Sequence, residues 1–387
     1  MSSSSNSTST KGRWTHKKAR SSTRGKLGEL SEKEWNLLEP FDVLDLKDKD
    51  GNLESFHVSD TIAIVSSKDV SKLQLYDYWI GKIKGIRGES ESSRAWVMVN
   101  WYYSPRDVKA QIPVFEPSPS ARYERIYSHH CDIVSATHIA GKVSVFQLLE
   151  DNADQHPIPA NSFFSRYYFD IKGGPKNFAV MQFTYHDPAT SISTIHSAIN
   201  IMRCDLCAGP YNPEAFDPDE IQRWCPAPEC RRGFHHRCLD AADKKSEPFP
   251  SVTDLILARI ANNDDTQSTD DGPPARLTHE NLHCIPAQLL TLAAQPLVRG
   301  ERFGVAGNIA MIAHARRTIH SALSDQSLPT CKTPYSFRSN HVDLNLDLWY
   351  KDPAFNGWEG AIIEELDPHR GEDRMRLLRC PQCTRAI

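Results

Sequence analysis

The stretch Trp96-Val97-Met98-Val99-Asn100-Trp101-Tyr102-Tyr103-Ser104-Pro105-Arg106-Asp107 decides how the first half of the chain folds. Through Tyr103 it is dense in β-branched and aromatic side chains, the types that suit a pleated, half-buried surface. Working outward, Thr61-Ile62-Ala63-Ile64-Val65, Tyr78-Trp79-Ile80-Gly81-Lys82-Ile83 and Gly141-Lys142-Val143-Ser144-Val145-Phe146 repeat the pattern. Lys, Asp, Gly, Ser and Pro separate these runs, so residues 40–175 read as short strands building a small barrel or sandwich. Side chains alternate along a strand, which puts Trp101 and Tyr103 on one side together with Val97 and Val99.

Around this core the 387 residues leave room for two or three domains. Hydrophobic residues are 39% and Pro (25) outnumbers Gly (19), which suggests folded domains separated by loops. No apolar run approaches the ~18 residues of a membrane span. The opening MSSSSNSTST has no apolar segment of a secretory signal, so an intracellular address is expected and structural disulfides are disfavoured. Ten cysteines in that setting point to metal. Residues 1–26 hold Lys11, Arg13, Lys17, Lys18, Arg20, Arg24 and Lys26 and no acid, so the rest of the chain carries −11 against the overall −4. Residues 1–39 therefore read as a disordered basic tail. Its first 26 residues suit nuclear import, a nucleic-acid contact through phosphate attraction, or simple solvation.

The second half changes regime. Residues 176–203 read as a connector with a helix near Ile192–Met202, and cysteines dominate 204–238. The domain-sized stretch 239–379 carries helix-spaced apolar residues at Val252–Ala261, Asn281–Leu297 and Gly304–Leu323, with a polar, disordered loop near 262–280. Residues 380–387 end the chain with a further cysteine pair. Cys204, Cys207, Cys225, Cys230, His235 and Cys238, then Cys380 and Cys383, form C-x2-C-x17-C-x4-C-x4-H-x2-C and a distant C-x2-C. Eight soft or borderline ligands make two closed tetrahedral zinc sites with a structural role. Folding of the second half is expected to depend on that metal. Cys284, with His283 beside it, and Cys331 are alternative ligands, and Cys131 reads as a small buried hydrophobe.

The order of four Cys, one His and three Cys, with Phe234 before the histidine and the closing Cys380-Pro381-Gln382-Cys383, resembles the PHD finger, a histone-tail reader of chromatin proteins. A RING finger would place His where Cys230 stands. The resemblance implies a cross-brace, with Cys204, Cys207, His235 and Cys238 on one zinc and Cys225, Cys230, Cys380 and Cys383 on the other. It also implies that the helical stretch is an insertion. Many methyl-lysine-reading PHD fingers carry Trp two residues before the ligand His, where this chain has Gly233; Trp224 reads as packing.

The opening stretch itself resembles the WYYxPxD strand and turn of the BAH (bromo-adjacent homology) domain. Tyr123-Glu124-Arg125-Ile126-Tyr127-Ser128-His129-His130-Cys131-Asp132 with Ile139-Ala140-Gly141-Lys142-Val143, and Phe163-Phe164-Ser165-Arg166-Tyr167-Tyr168-Phe169-Asp170, resemble two further motifs of that family. The fold class expected is thus multi-domain: a β-rich BAH-like barrel plus a PHD-like cross-brace finger interrupted by an α-helical insertion. This resembles the BAH–PHD effectors of plants and fungi, which implies a nuclear protein that binds a histone tail or other chromatin proteins. The family's methyl-lysine cage maps to Trp101, Tyr103 and Trp79, where cation–π attraction would hold a methylammonium. His129, His130 and Asp132 alternate across a strand and read as structural hydrogen-bonding groups. No phosphate loop, GxSxG elbow or HExxH is present, so a binding protein rather than an enzyme is expected. DNA or RNA binding through the tail and zinc module, and a pure protein scaffold, are the alternatives.

Overall fold

The computed structural model describes residues 13–16, 30–47, 51–65, 73–89, 94–111, 120–150, 152–155, 157–170, 179–182, 196–197, 203–209, 211–214, 220–227, 230–243, 252–261, 285–300, 303–324, 353–361 and 378–387. The first half contains β1 (Arg13–His16), α1 (Glu32–Leu37), β2 (Glu39–Phe41), β3 (Val43–Lys47), β4 (Leu53–His57), β5 (Thr61–Ile64), β6 (Trp79–Gly88) and β7 (Ala95–Tyr103). It continues through α2 (Pro105–Gln111), β8 (Glu124–Ser135), β9 (Ile139–Lys142), β10 (Val145–Gln147), β11 (Phe163–Asp170), β12 (Ala179–Gln182) and β13 (His196–Ser197). A large sheet runs β13-β12-β11-β8-β7-β6-β5-β9, with β10 on β11 and β2 on β6; a small sheet runs β1-β3-β4. Leu44 and Phe56 of the small sheet share a buried core with Ile62, Ile83, Val97, Val99, Trp101 and Val134 of the large one. Alternation along β7 supplies Val97, Val99 and Trp101 to this core, as the opening stretch requires.

Two boundaries differ from the sequence reading. The tail does not run to residue 39: Ser31 and Glu34 form a reciprocal capping box that starts α1, and Trp35 of that helix is buried. Arg13–His16 pairs in parallel with β3. The connector holds no helix at its described residues; His196–Ser197 pairs with β12 and extends the sheet instead. The rest of Ile192–Met202 lies outside the described residues, as do Cys284, Cys331, His283 and the 262–280 loop.

The second half contains β14 (Gln222–Trp224), β15 (Gly233–His235), α3 (His236–Asp243), α4 (Val252–Ala261), α5 (Ala287–Ala293), β16 (Val298–Arg299) and α6 (Ile309–Ser324). Trp224, Ile260, Leu289, Leu292, Ile309, Ile312 and Ile319 form its helical core. The helix expected over Asn281–Leu297 is shorter. It starts after Pro286 and stops before Pro296, and Val298–Arg299 then pairs with β14. The two halves meet in a packed seam, where Ala306 and Val305 join Ala121, Leu148, Ile158 and Phe164. Arg299 Nη2 donates to the Glu150 carbonyl across it at 2.7 Å.

Gly307 makes the turn into α6 possible. Its φ is +74°, and a Cβ there would lie 1.9 Å from the Val298 carbonyl oxygen. The buried Asn308 beside it ties the Val298 N–H and the Pro296 and Ala361 carbonyls. Gly307→Ala is expected to lower stability by about 2–4 kcal/mol, read as an earlier denaturant midpoint. An unchanged midpoint would contradict this account.

Candidate ligand cavity and metal centres

The register Gly81↔Trp101 and Ile80↔Tyr102 brings the start of β6 beside the end of β7. Trp79 thereby meets Trp101 edge-on, with ring centroids 5.3 Å apart. Trp79 is 47% exposed, whereas Trp101 is 4% exposed and packs in the sheet core while lining the cavity. Tyr103 is half-buried on the same wall. The cavity measures about 1150 Å³ and takes in all three of these aromatic residues.

Two residues that the sequence reading assigned to structural hydrogen bonding also line it. Asp132 Oδ2 accepts the Trp101 indole N–H at 2.7 Å, and His130 Nδ1 is hydrogen-bonded to the Tyr103 hydroxyl. Alternation along β8 explains both facts: His130 and Asp132 share the cavity side, while His129 turns away and packs on Tyr127 and Tyr168. Burial, with the charges of Asp132 and Asp107 acting the same way, pushes the Tyr103 hydroxyl up to about 12, so its ring stays neutral. Three aromatic rings and a carboxylate can solvate an organic cation in place of water.

The eight ligand residues fall into two groups. Cys204, Cys207, His235 and Cys238 form one, and Cys225, Cys230, Cys380 and Cys383 the other, with donor atoms within 4.8 Å of one another in each. Cys225 and Cys383 sulfurs stand 3.5 Å apart, as do those of Cys230 and Cys380. Sulfurs around a tetrahedral zinc are separated by roughly 3.8 Å, so the donor set fits such an ion. His235 Nδ1 faces Cys207 at 3.4 Å, and its Nε2 faces a Glu220 carboxylate oxygen at 3.6 Å. That arrangement orients the ring for metal through Nδ1.

The local chain is bent to suit. Ala208, Arg231 and Thr384, each following a cysteine of the array, have φ of 55°, 46° and 60°. The turns close by Ala208 N–H to the Cys204 carbonyl and Thr384 N–H to the Cys380 carbonyl, both 2.8 Å. Non-glycine residues held there cost about 1 kcal/mol each, which the metal bonds would offset. Thiol ionisation points the same way. The Cys225 hydrogen bond holds Cys380 down to about 5, while burial and the Cys380 neighbour push Cys230 up to about 12. In the other group burial opposes ionisation, yet His235 hydrogen bonds hold Cys204 at about 6. Four thiolates cannot coexist at this spacing without a cation among them. Both groups could each bind a metal ion.

A family model described as the BAH domain matches residues 54–178. Among solved structures, the crystal structure of the yeast Rsc2 BAH domain is similar at 11% identity, over 34% of this chain and 51% of that one, with a TM-score of 0.23. The similarity thus spans about half the length of that chain. No curated protein matches the sequence. The motifs of β7, β8 and β11 and the family-model match agree on the first half: residues 54–178 of this chain form a BAH domain, a binding module of chromatin-associated proteins.

Proposed function

We propose that this protein is a nuclear, chromatin-associated binding protein whose BAH domain holds a methylated lysine of a histone tail, histone H3 in the first instance. The observation that supports it is the convergence of Trp79, Trp101 and Tyr103 on one cavity beside Asp132. Rings supply cation–π attraction to an ammonium whose hydration methylation has weakened, and the carboxylate adds charge complementarity. The second half carries two structural zinc ions in a PHD-like cross-brace and serves as a further interaction surface. Its own aromatic reading position carries no ring: Gly233 stands there, with the Gln222 side chain packed against it.

The test is binding of the metal-loaded chain to a histone-tail peptide array spanning methylation states. Trp79→Ala is the informative variant, because Trp79 is exposed and its loss leaves the core intact. It is expected to weaken binding of methylated peptides about tenfold, with thermal stability unchanged. Silence of the wild type across the array, or full binding by Trp79→Ala, would sink this reading.

A further inference from the structure

Four carboxylates line the aromatic cavity, and their partners differ. Asp77 and Asp107 act on the buried Arg125 guanidinium. Asp132 holds the Trp101 indole. Glu214 differs in origin. It belongs to the second half, seven residues beyond the ligand Cys207, yet it forms part of a cavity built by the first.

Its Oε2 accepts the Arg122 backbone N–H at 2.7 Å, while the Arg122 guanidinium lies over the Tyr76 ring instead. Among the described residues, neither Asp132 nor Glu214 has an ion-pair partner. Glu214 is held from behind by its own half: its N–H donates to Asn212 Oδ1 at 2.9 Å, and the buried Tyr211 packs against Gly300. Arg299, next to Gly300, is the residue bonded across the seam to Glu150. The second half therefore delivers one carboxylate to the lining of a cavity that the first half otherwise builds and that the exposed Trp79 also lines.

We propose that the cavity is a composite site in which Glu214 takes a cationic side chain of the same peptide whose methylated lysine enters among Trp79, Trp101 and Tyr103. The inference rests on the methyl-lysine reading above and adds a second contact to it. A half-buried carboxylate already satisfied on one oxygen keeps the other for an incoming guanidinium or ammonium, at little further cost in desolvation. Arg106 and Arg122 also line the cavity, so the sign of the preferred neighbouring residue decides the matter.

The experiment uses the full, metal-loaded chain and labelled synthetic peptides with a central trimethyl-lysine and Arg, Ala or Glu walked through the flanking positions. At one position Arg is expected to bind about fivefold tighter than Ala. Glu214→Gln keeps an acceptor for the Arg122 N–H; it should erase that advantage while leaving the Ala peptide unaffected. Glu214→Lys should invert it in favour of Glu. An Arg advantage that survives Glu214→Gln overturns the inference, as does a Glu preference that disappears in Arg122→Gln. Flat flanking positions with methyl-lysine binding intact would overturn it alone. Failure of the wild type to bind any trimethyl-lysine peptide would remove the reading beneath it as well.

Discussion

A strong zinc chelator is expected to extract two metal ions per chain and to lower the melting temperature by more than about 10 °C, because each structural site contributes on the order of 10 kcal/mol of apparent binding energy. The packing around the ligands is too small to stand in for that. Beyond the cysteines themselves it comprises Ala227, Phe234, Leu239, Leu378 and Ile387. The segment 378–387 is held by the turn at Cys380 and the Arg379↔Ala386 bridge, with Asp205 accepting from Gln382 at 2.7 Å. It should become exchange-labile first. The helices are a separate matter, since α5 and α6 pack around Leu289, Leu292, Ile309, Ile312 and Ile319 without using a ligand. Far-UV helical signal is therefore expected to survive largely intact, which narrows the dependence on metal that spacing alone suggests. Metal counting by a colorimetric chelator and a thermal melt check both points. An unchanged melt after complete extraction would show that the tetrads do not hold the fold.

Arg166→Met is the second large effect, expected to cost about 3–5 kcal/mol. Arg166 is 1% exposed; its Nε and Nη2 donate to Glu124 at 2.8 and 3.2 Å and its Nη1 to Glu150 at 2.8 Å. Both carboxylates are fully buried, so removing the guanidinium strands two negative charges out of water. Glu124 also accepts the Ala121 N–H, and the Glu150 carbonyl accepts from Arg299 across the seam. The variant should loosen both the cavity wall and its junction with the second half. Arg166→Lys keeps the charge without the fork and should fall between wild type and Met. Denaturant unfolding reads the loss; a change below about 1 kcal/mol would mean that this network is dispensable.

Local chemistry in the chain was readable where residue type and spacing carry the information. β-Branched and aromatic enrichment marked β5, β6 and β7, and period two put Trp101 and Tyr103 on one face, where both line the cavity. Ligand spacing picked out the eight residues that the fold gathers into two groups. The BAH motifs all lie within the matched residues 54–178. Elsewhere a partner, not a propensity, decided the outcome. Strands of two or three residues such as β13, β14 and β16 exist only because a neighbour pairs with them, and their composition does not announce it. His130 and Asp132 looked structural because alternation forbids convergence with His129. Their role at the cavity appears only once β7 lies alongside β8.

What the sequence by itself determined is the inventory: a β-rich first half, a ligand set of the right chemistry, and a pair of aromatic residues on one face. These follow from stereochemistry and from spacing, which act over a few residues. The tertiary structure decided which of them meet. The β6–β7 register set Trp79 against Trp101, and the packed seam carried Glu214 to a wall ninety-two residues away in sequence from the Arg122 it bonds. The chain closure across Leu239–Arg379 joined Cys225 and Cys230 to Cys380 and Cys383. Such encounters depend on burial and charge pairing summed over the whole molecule, and no local pattern in the chain encodes them.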